Sequence, residues 1–140
     1  MIGVAKTTDE ITRCCDCMRE LRTHLSSAEE FAERVQRQQG EGFRLAFLES
    51  DGEVRAVAGY RIYDLLFSGR TLYVDDLVTL AKDRSRGFGG ELMDWLIEEA
   101  RREKCKELTL DSAVHRFDAH RFYLIKRMKI AAHHFTLAID

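Results

Sequence analysis

An apolar run, a glycine-rich turn and an amphipathic helix follow one another in residues 78–100, VTLAKDRSRGFGGELMDWLIEEA. Phe88, Leu92, Leu96 and Ala100 recur at the spacing of one helix face, which predicts a helix packed against a core. The glycines at its start cost chain entropy, so they indicate a place where another group approaches the backbone closely. The arginines beside these glycines indicate that the approaching group is an anion.

The rest of the chain predicts an α+β fold. The segments FRLAFLES and DGEVRAVAGYRIYDLLF meet at an Asp-Gly hairpin signal, and a second reversal at 68–70 leads into TLYVDDLVTL, which gives three antiparallel strands. The other predicted elements are an edge strand at 2–6, a helix over 8–24, a helix opened by a capping box at Ser26 or Ser27, a strand at 107–113, a helix with Asp118 as N-cap and a last strand over HHFTLAI. This order predicts a mixed sheet with helices on its faces.

Composition limits the class of protein. The chain of 140 residues has no proline, no repeat and no linker-like stretch, so we predict a single domain over residues 1–140. A formal net charge of −2 gives no general case for nucleic acid or a membrane surface as a partner. No apolar run has the length of a membrane span, and the first residues lack the layout of a signal peptide, so we expect a cytoplasmic protein.

Four cysteines, Cys14, Cys15, Cys17 and Cys105, raise the alternative of a redox or metal protein. Cys14 and Cys17 form a C-x-x-C, but no second pair and no spaced histidine pair completes a zinc site. This pair lies inside a helical pattern, whereas a thioredoxin-like motif belongs just after a strand. We therefore expect reduced thiols, structural or incidental, and no metal.

A glycine-rich turn before a helix binds anions through free N–H groups and the helix dipole, and several cofactors use this device. A P-loop requires G-x-x-x-x-G-K-[ST], and the chain contains no such string. A dinucleotide-binding fold requires G-x-G-x-x-G in an early βαβ unit. Here Gly87 and Gly89 are followed by Leu92 at the third glycine position, and the unit comes after an antiparallel meander. Both alternatives are rejected.

Residues 84–89, RSRGFG, match the pattern R/Q-x-x-G-x-G/A, the pyrophosphate-binding motif of the GNAT superfamily of acyl-CoA-dependent N-acyltransferases, which this chain resembles. The strand before the motif, the helix after it, then LTLDSA and AHRFYLIKRMKI come in the order of that family. The resemblance is strong over residues 71–130 and loose but compatible over residues 1–70. It implies a mixed, mostly antiparallel, twisted central sheet flanked by helices on both faces.

The resemblance also implies an acetyl-CoA site. The loop amides would hold the pyrophosphate, two arginines would add charge, and the end of the fourth strand would splay from its neighbour and pair with pantetheine. A donor there could hold the developing oxyanion at the thioester carbon. The predicted cofactor-binding residues are Leu77, Val78, Thr79, Leu80, Arg84, Ser85, Arg86, Gly87, Phe88, Gly89, Gly90 and Arg116.

Acyl transfer to an amine also needs a proton for the leaving thiolate. Tyr123 matches the tyrosine of the Phe-Tyr pair on the family's last helix and is the predicted donor. A phenol with a pKa near ~10 can donate to a thiolate of pKa around ~8.5 without a large shift. The other possibility is that Tyr123 packs its ring and bonds a neighbour.

Two adjacent carboxylates, Asp75 and Asp76, interrupt the apolar strand LYVDDLVTL. Neighbouring strand residues face opposite sides, so both are hard to explain as surface. Near the splayed strand they would attract an ammonium group and take its proton. They resemble the acidic pair of polyamine- and aminoglycoside-type members of the superfamily. We predict Asp75 as the base, because it shares a face with Tyr73 and Leu77, although the two roles could be exchanged.

Arg116 departs from the family pattern, because many relatives carry an asparagine at this position, seven residues before the tyrosine, in contact with the pantetheine arm. The contact is either lost or replaced by a guanidinium. Arg116 or His115 could instead reach the phosphates of coenzyme A or an anionic part of the substrate. A plain basic surface is the other explanation.

The sequence thus predicts an N-acetyltransferase that moves the acetyl group of acetyl-CoA to a primary amine by direct attack on the thioester. The acidic pair favours a small cationic acceptor of the polyamine or amino-sugar type, while an aminophosphonate, an amino acid or a peptide N-terminus stays open. The alternative function is a non-catalytic acyl-CoA-binding sensor or interaction module on the same fold. A homodimer is also expected, because a second subunit can cover an exposed sheet edge.

Overall fold

Five strands form one sheet in the order β1-β2-β3-β4-β5 in the computed structural model, which describes all residues from Met1 to Asp140. The strands are β1 (Ile2–Val4), β2 (Arg44–Ser50), β3 (Glu53–Leu65), β4 (Gly69–Thr79) and β5 (Glu107–Leu110). The first four strands pair with their neighbours in antiparallel fashion. Asp51 and Gly52 connect β2 to β3 with φ values of 54° and 74°, as a two-residue hairpin turn requires.

The chain forms five helices, and the first four cover both faces of this sheet. They are α1 (Thr8–Arg13), α2 (Cys15–Arg19), α3 (Ala28–Gln39), α4 (Phe88–Arg102) and α5 (Phe117–Ile125), and a 3₁₀ turn (Ala81–Asp83) precedes α4. Buried residues of α1, α2 and α3 pack in one cluster with Leu45, Phe47 and Val57 of the sheet. The opposite face carries Tyr60, whose ring meets Trp95 of α4 edge to face. The predicted α+β class, with helices on both faces, is confirmed.

Two predicted helix boundaries are wrong. The helix expected over residues 8–24 is broken at Cys14, whose N–H bonds back to Ile11 and Thr12 as the cap of α1. This break lets both Cys14 and Cys15 enter the core. The last helix has Arg116 as its N-cap, and Asp118 lies in its first turn without capping it.

The predicted strand over HHFTLAI is absent. Phe135, Leu137 and Ile139 alternate with smaller or polar residues, but they are exposed and lie in irregular backbone. Alternation alone does not make a strand, because a strand needs a hydrogen-bonding partner and none pairs with this segment. The strand predicted at 107–113 is also shorter and ends at Leu110.

The chain divides into two compact units, Met1–Thr109 and Leu110–Asp140. The first contains β1 to β4 and α1 to α4, and the second contains α5 and the irregular C-terminal segment. A single domain over residues 1–140 stays a prediction. None of the helices combines the length and the apolar character needed to cross a membrane.

The capping of α3 yields a stability prediction. Of the two serines that the sequence leaves open, Ser27 is the N-cap, and its Oγ accepts the N–H of Glu30 at 3.1 Å. We expect Ser27→Ala to lower the free energy of unfolding by about 1 kcal/mol in urea titration, and Ser27→Gly by only a few tenths. Equal losses in the two variants would contradict a capping role.

Candidate active site

The loop between β4 and α4 presents unpaired backbone donors. Ser85 and Gly87 adopt φ values of 71° and 88°, and the N–H groups of Ser85, Gly87, Phe88 and Gly89 donate to no acceptor in the chain. These groups lie at the start of α4, where the helix dipole adds partial positive charge. A Cβ added at Gly87 would have no heavy atom within 4 Å, so the loop borders open space. The residues present therefore fit the pyrophosphate of a coenzyme A molecule.

The buried carboxylate of Asp83 connects this loop to strand β3. Asp83 is 2% exposed and accepts hydrogen bonds from Arg86 at 2.7 Å and from Arg55 of β3 at 3.2 Å. Burial raises the pKa of Asp83, but the hydrogen bonds and charges of Arg86 and Arg55 outweigh it, so the net pKa is below the usual range. Asp83 is therefore ionised at neutral pH and holds the loop to the sheet.

The two arginines of the motif differ in their surroundings. Arg86 is bound to Asp83, and its guanidinium also lies 4.9 Å from the centroid of the Phe88 ring. Arg84 is exposed, and its side chain forms no ion pair. Of the two predicted phosphate ligands, Arg84 has its charge available, whereas Arg86 serves first to shape the loop.

The end of β4 is fixed by helix α2 and the residue that follows it. Leu77, Val78 and Thr79 pair with β3, and the thiol of Cys17 donates to the Val78 carbonyl at 3.6 Å. Just beyond the strand, the N–H of Ala81 donates to the Glu20 carboxylate at 2.8 Å. The predicted splaying at 77–80 and the contact with pantetheine stay predictions.

A β-bulge puts both predicted acidic residues on the wall of one cleft. In the pairing of β3 with β4, Gly59 opposes Asp76 and Tyr60 opposes Val74, so Asp75 is the extra residue. Asp75 and Asp76 both line a cavity of about 400 Å³, together with residues of α2, α3 and the segment between them. The sequence argument that adjacent residues face opposite sides fails here because of this bulge.

The bulge also corrects the predicted face of Leu77. Leu77 lies opposite Ala58, on the alternation that carries Tyr60 toward α4. Tyr73, in contrast, lines the cleft with the two aspartates. The argument that Asp75 shares a face with both Tyr73 and Leu77 is therefore wrong for Leu77.

Each carboxylate already has a guanidinium partner. Arg22 donates through Nε to Asp76 at 2.7 Å and through Nη2 to the Asp75 carbonyl at 3.0 Å. Arg61 of β3 donates through Nε to Asp75 at 2.9 Å and through Nη2 to Gln38 at 2.8 Å. Sequence reasoning missed both arginines, because nothing local distinguishes them from the other arginines of the chain.

Gly59 makes room for the deeper carboxylate. A Cβ at this position would lie 2.6 Å from Asp76 Oδ2 and 2.5 Å from the Phe43 ring, closer than real Cβ contacts. The Asp76 side chain is consequently only 13% exposed. Burial raises the pKa of Asp76 above the ordinary aspartate value, and the Arg22 guanidinium offsets part of that rise. Asp76 is thus a stronger base than a solvent-exposed aspartate.

Tyr123 lies in the second unit, on α5, with its ring 5.5 Å from that of Phe122 in an edge-to-face contact. Burial raises the pKa of Tyr123, and the charge of Arg116 lowers it less. The phenol therefore keeps its proton at neutral pH, as a proton donor must. Arg116 itself is exposed at the start of α5.

The cysteines form no reactive centre. All four are free, and Cys14, Cys15 and Cys17 are buried. Burial raises the pKa of Cys14 and of Cys17 to about 12, so both thiols stay protonated. No group of three or more histidine, cysteine, aspartate or glutamate side chains is arranged to hold a metal ion.

Comparison with known proteins gives consistent matches. The sequence pattern of the Acetyltransferase (GNAT) family matches residues 9–127. An uncharacterized N-acetyltransferase of Bacillus subtilis, YhdJ, is 36% identical over 110 residues, which cover 78% of this chain and 77% of that protein. The aminoalkylphosphonate N-acetyltransferase of Salmonella typhimurium is 36% identical over 66 residues, or 47% of this chain and 43% of that protein.

The fold has close counterparts among solved structures. AAC(6')-Iy, in complex with the bisubstrate analogue CoA-S-monomethyl-acetylneamine, superposes with a TM-score of 0.82 at 11% identity over 100% of this chain and 99% of that one. The family match confirms the enzyme class and the acetyl donor predicted from the glycine loop. The chain belongs to the GNAT family of acetyltransferases, and its cosubstrate is acetyl-CoA.

Proposed function

We propose that this acetyltransferase acts on the primary amine of a small molecule that binds in the cleft beside Asp75 and Asp76. The observation that carries the proposal is the β4 bulge, because it turns two carboxylates toward one cavity of about 400 Å³. That volume lies at the lower end of the range typical of small-molecule sites. A cavity with paired carboxylates suits a group that arrives as an ammonium and must lose a proton.

In this proposal, different residues bind the cosubstrate, remove a proton from the amine and donate a proton to the thiolate. Acetyl-CoA supplies the acetyl thioester, and the unpaired amides of Ser85, Gly87, Phe88 and Gly89 bind its pyrophosphate. Asp76 takes the proton of the ammonium, directly or through water, since burial raises its pKa toward the working range of a base. This exchanges the roles first predicted for Asp75 and Asp76. Tyr123 donates a proton to the leaving thiolate.

The identity of the acceptor is open within this proposal. A polyamine or amino sugar was predicted from the acidic pair. The similar proteins differ in their acceptors, since one is an aminoalkylphosphonate N-acetyltransferase and a structural counterpart is bound to an acetylneamine analogue. A cytoplasmic location, a homodimer and the absence of nucleic-acid or membrane partners stay predictions.

Removing the hydroxyl group of Tyr123 distinguishes an acetyltransferase from a non-catalytic acyl-CoA-binding sensor. We expect Tyr123→Phe to lower kcat by about 100-fold or more, the usual contribution of a general acid, with little change in acetyl-CoA binding. Thiol release from acetyl-CoA measures the rate. Tyr63→Phe, on β3, is the matched control and should leave kcat unchanged. Normal turnover in Tyr123→Phe would remove this residue from the mechanism.

The pH dependence of kcat tests the role of Asp76. A base acts only when ionised, so activity falls as the pH drops through the raised pKa of Asp76. Arg22 lowers this pKa, so Arg22→Gln should raise it and move the acidic limb of the profile to higher pH. Arg34→Gln alters the same cleft without touching Asp76 and should leave the limb in place. A limb unmoved by Arg22→Gln would exclude Asp76 as the titrating base.

A side chain at Gly87 should weaken the cofactor more than the fold. Alanine at φ 88° costs about 1 kcal/mol of backbone strain, and its methyl group would also occupy the space at the pyrophosphate. We expect Gly87→Ala to raise the Kd of acetyl-CoA by at least about tenfold in calorimetric titration. Gly52→Ala, at φ 74° in the β2–β3 turn, carries the same strain without the contact and should bind normally. Equal affinities in the two variants would refute the assignment.

A further inference from the structure

The negatively charged side chains of the cleft are more buried than the positively charged ones. Asp75 and Asp76 lie at its inner wall, with side chains 20% and 13% exposed. Arg22 and Arg34 lie nearer the solvent, with side chains 44% and 38% exposed, and His24 lines the same cavity. An entering molecule therefore meets positive charge first and negative charge at the far end.

A polycation gains little from this arrangement. Asp76 is bound to Arg22 and Asp75 to Arg61, so neither carboxylate offers uncompensated negative charge. One amine can approach Asp76 through Oδ2, since Arg22 donates to Oδ1. Each further ammonium of a polycation would have to displace a guanidinium from a partly buried pair or lie beside Arg34, and leaving a buried charge without its partner is costly.

The arginines retain donors for an anion. Arg22 uses its Nε and one Nη2 contact on the strand, which leaves three of the five N–H groups of a guanidinium. Arg34 forms an exposed ion pair with Glu30 at 3.7 Å, but this distance is too long for a hydrogen bond, so its N–H groups can still donate to an anion. A guanidinium with free donors binds carboxylate and phosphonate oxygens in a fork of two parallel hydrogen bonds.

The most deeply buried residues of the cavity are apolar. Met18, Leu25, Phe31 and Val35 line the cavity together with the charged side chains. A short aliphatic spacer suits such a wall, because it needs no hydrogen-bond partner. The cleft therefore combines a base for an amine, an apolar surface for a spacer and, nearer the solvent, donors for an anion.

We propose that the acceptor is a zwitterion: a primary amine joined by a short aliphatic spacer to a carboxylate or phosphonate, with the anion bound by Arg22 and Arg34. This inference rests on the proposed function, since it names the acceptor of that same cleft. It differs from the polyamine and amino-sugar classes by requiring negative charge on the acceptor.

Matched amines separate the classes. The purified protein with acetyl-CoA is assayed for thiol release with β-alanine and 2-aminoethylphosphonate, and with propylamine and spermidine as acceptors that lack an anion. We expect kcat/KM to be at least about tenfold higher for one or both anionic acceptors, the size of a charge-assisted hydrogen bond. The better of β-alanine and 2-aminoethylphosphonate distinguishes carboxylate from phosphonate.

A variant tests whether the arginine is responsible. Arg34→Gln replaces the guanidinium with a shorter, neutral amide. It should raise KM for the anionic acceptor about tenfold, with kcat and the KM for propylamine unchanged. Equal changes with both acceptors would show a structural effect and overturn the assignment of Arg34. Arg34→Lys should restore part of the affinity, because it restores the charge without the fork.

The failures are distinguishable. If propylamine or spermidine is turned over as well as the anionic amines, the acetyltransferase stands and the zwitterionic acceptor is wrong. If acetyl-CoA raises the Tm but none of the four amines is acetylated, the zwitterionic acceptor is wrong and so is a small-amine substrate. If acetyl-CoA does not raise the Tm, the proposed function itself fails.

Discussion

The pairing of β3 with β4 is the constraint on which the cleft depends. Its register shifts by one residue between Gly59 and Tyr60, so Asp75 has no partner of its own and both aspartates face the same cavity. The same two strands place Arg61 beside Asp75. They also place Gly59 next to the Asp76 carboxylate, where there is no room for a Cβ atom. In a regular strand one of the two carboxylates would face the α4 side of the sheet, where an unpaired charge is expensive.

Some of this structure was predictable because its signals are local. The apolar stripe from Phe88 to Ala100 predicts α4, and the Asp51-Gly52 pair predicts the turn between β2 and β3. The partners of the aspartates were not predictable, because they come from distant parts of the chain. Arg22 lies 54 residues from Asp76, and Arg61 lies 14 residues from Asp75 across the strand pair. No local pattern marks those arginines or the bulge that brings the carboxylates together.

In the glycine loop, too, the local motif is predictable and the contacts with distant residues are not. Residues 84–89 carry the motif by which the chain resembles the GNAT family, and the family match over residues 9–127 confirms that prediction. The sequence predicts the same phosphate-binding role for Arg84 and Arg86, whereas in the structure Arg86 forms an ion pair with Asp83. Nothing in the sequence marks Asp83, because a single aspartate before a glycine turn is usually exposed, and only the fold buries this one against Arg55. The strand predicted over HHFTLAI is wrong for the opposite reason. Its local alternation is clear, but no other strand pairs with it.

The segment from Cys17 to Arg22 contacts both the proposed cofactor loop and the proposed acceptor cleft. Cys17 and Glu20 bind the end of β4 and the first residue of the cofactor loop, and Arg22 binds the aspartates of the cleft. A ligand that orders this segment at one end lowers the entropic cost of binding at the other. The two affinities are then coupled, and the coupling is reciprocal: whatever factor acetyl-CoA adds to the affinity for the amine, the amine adds to the affinity for acetyl-CoA.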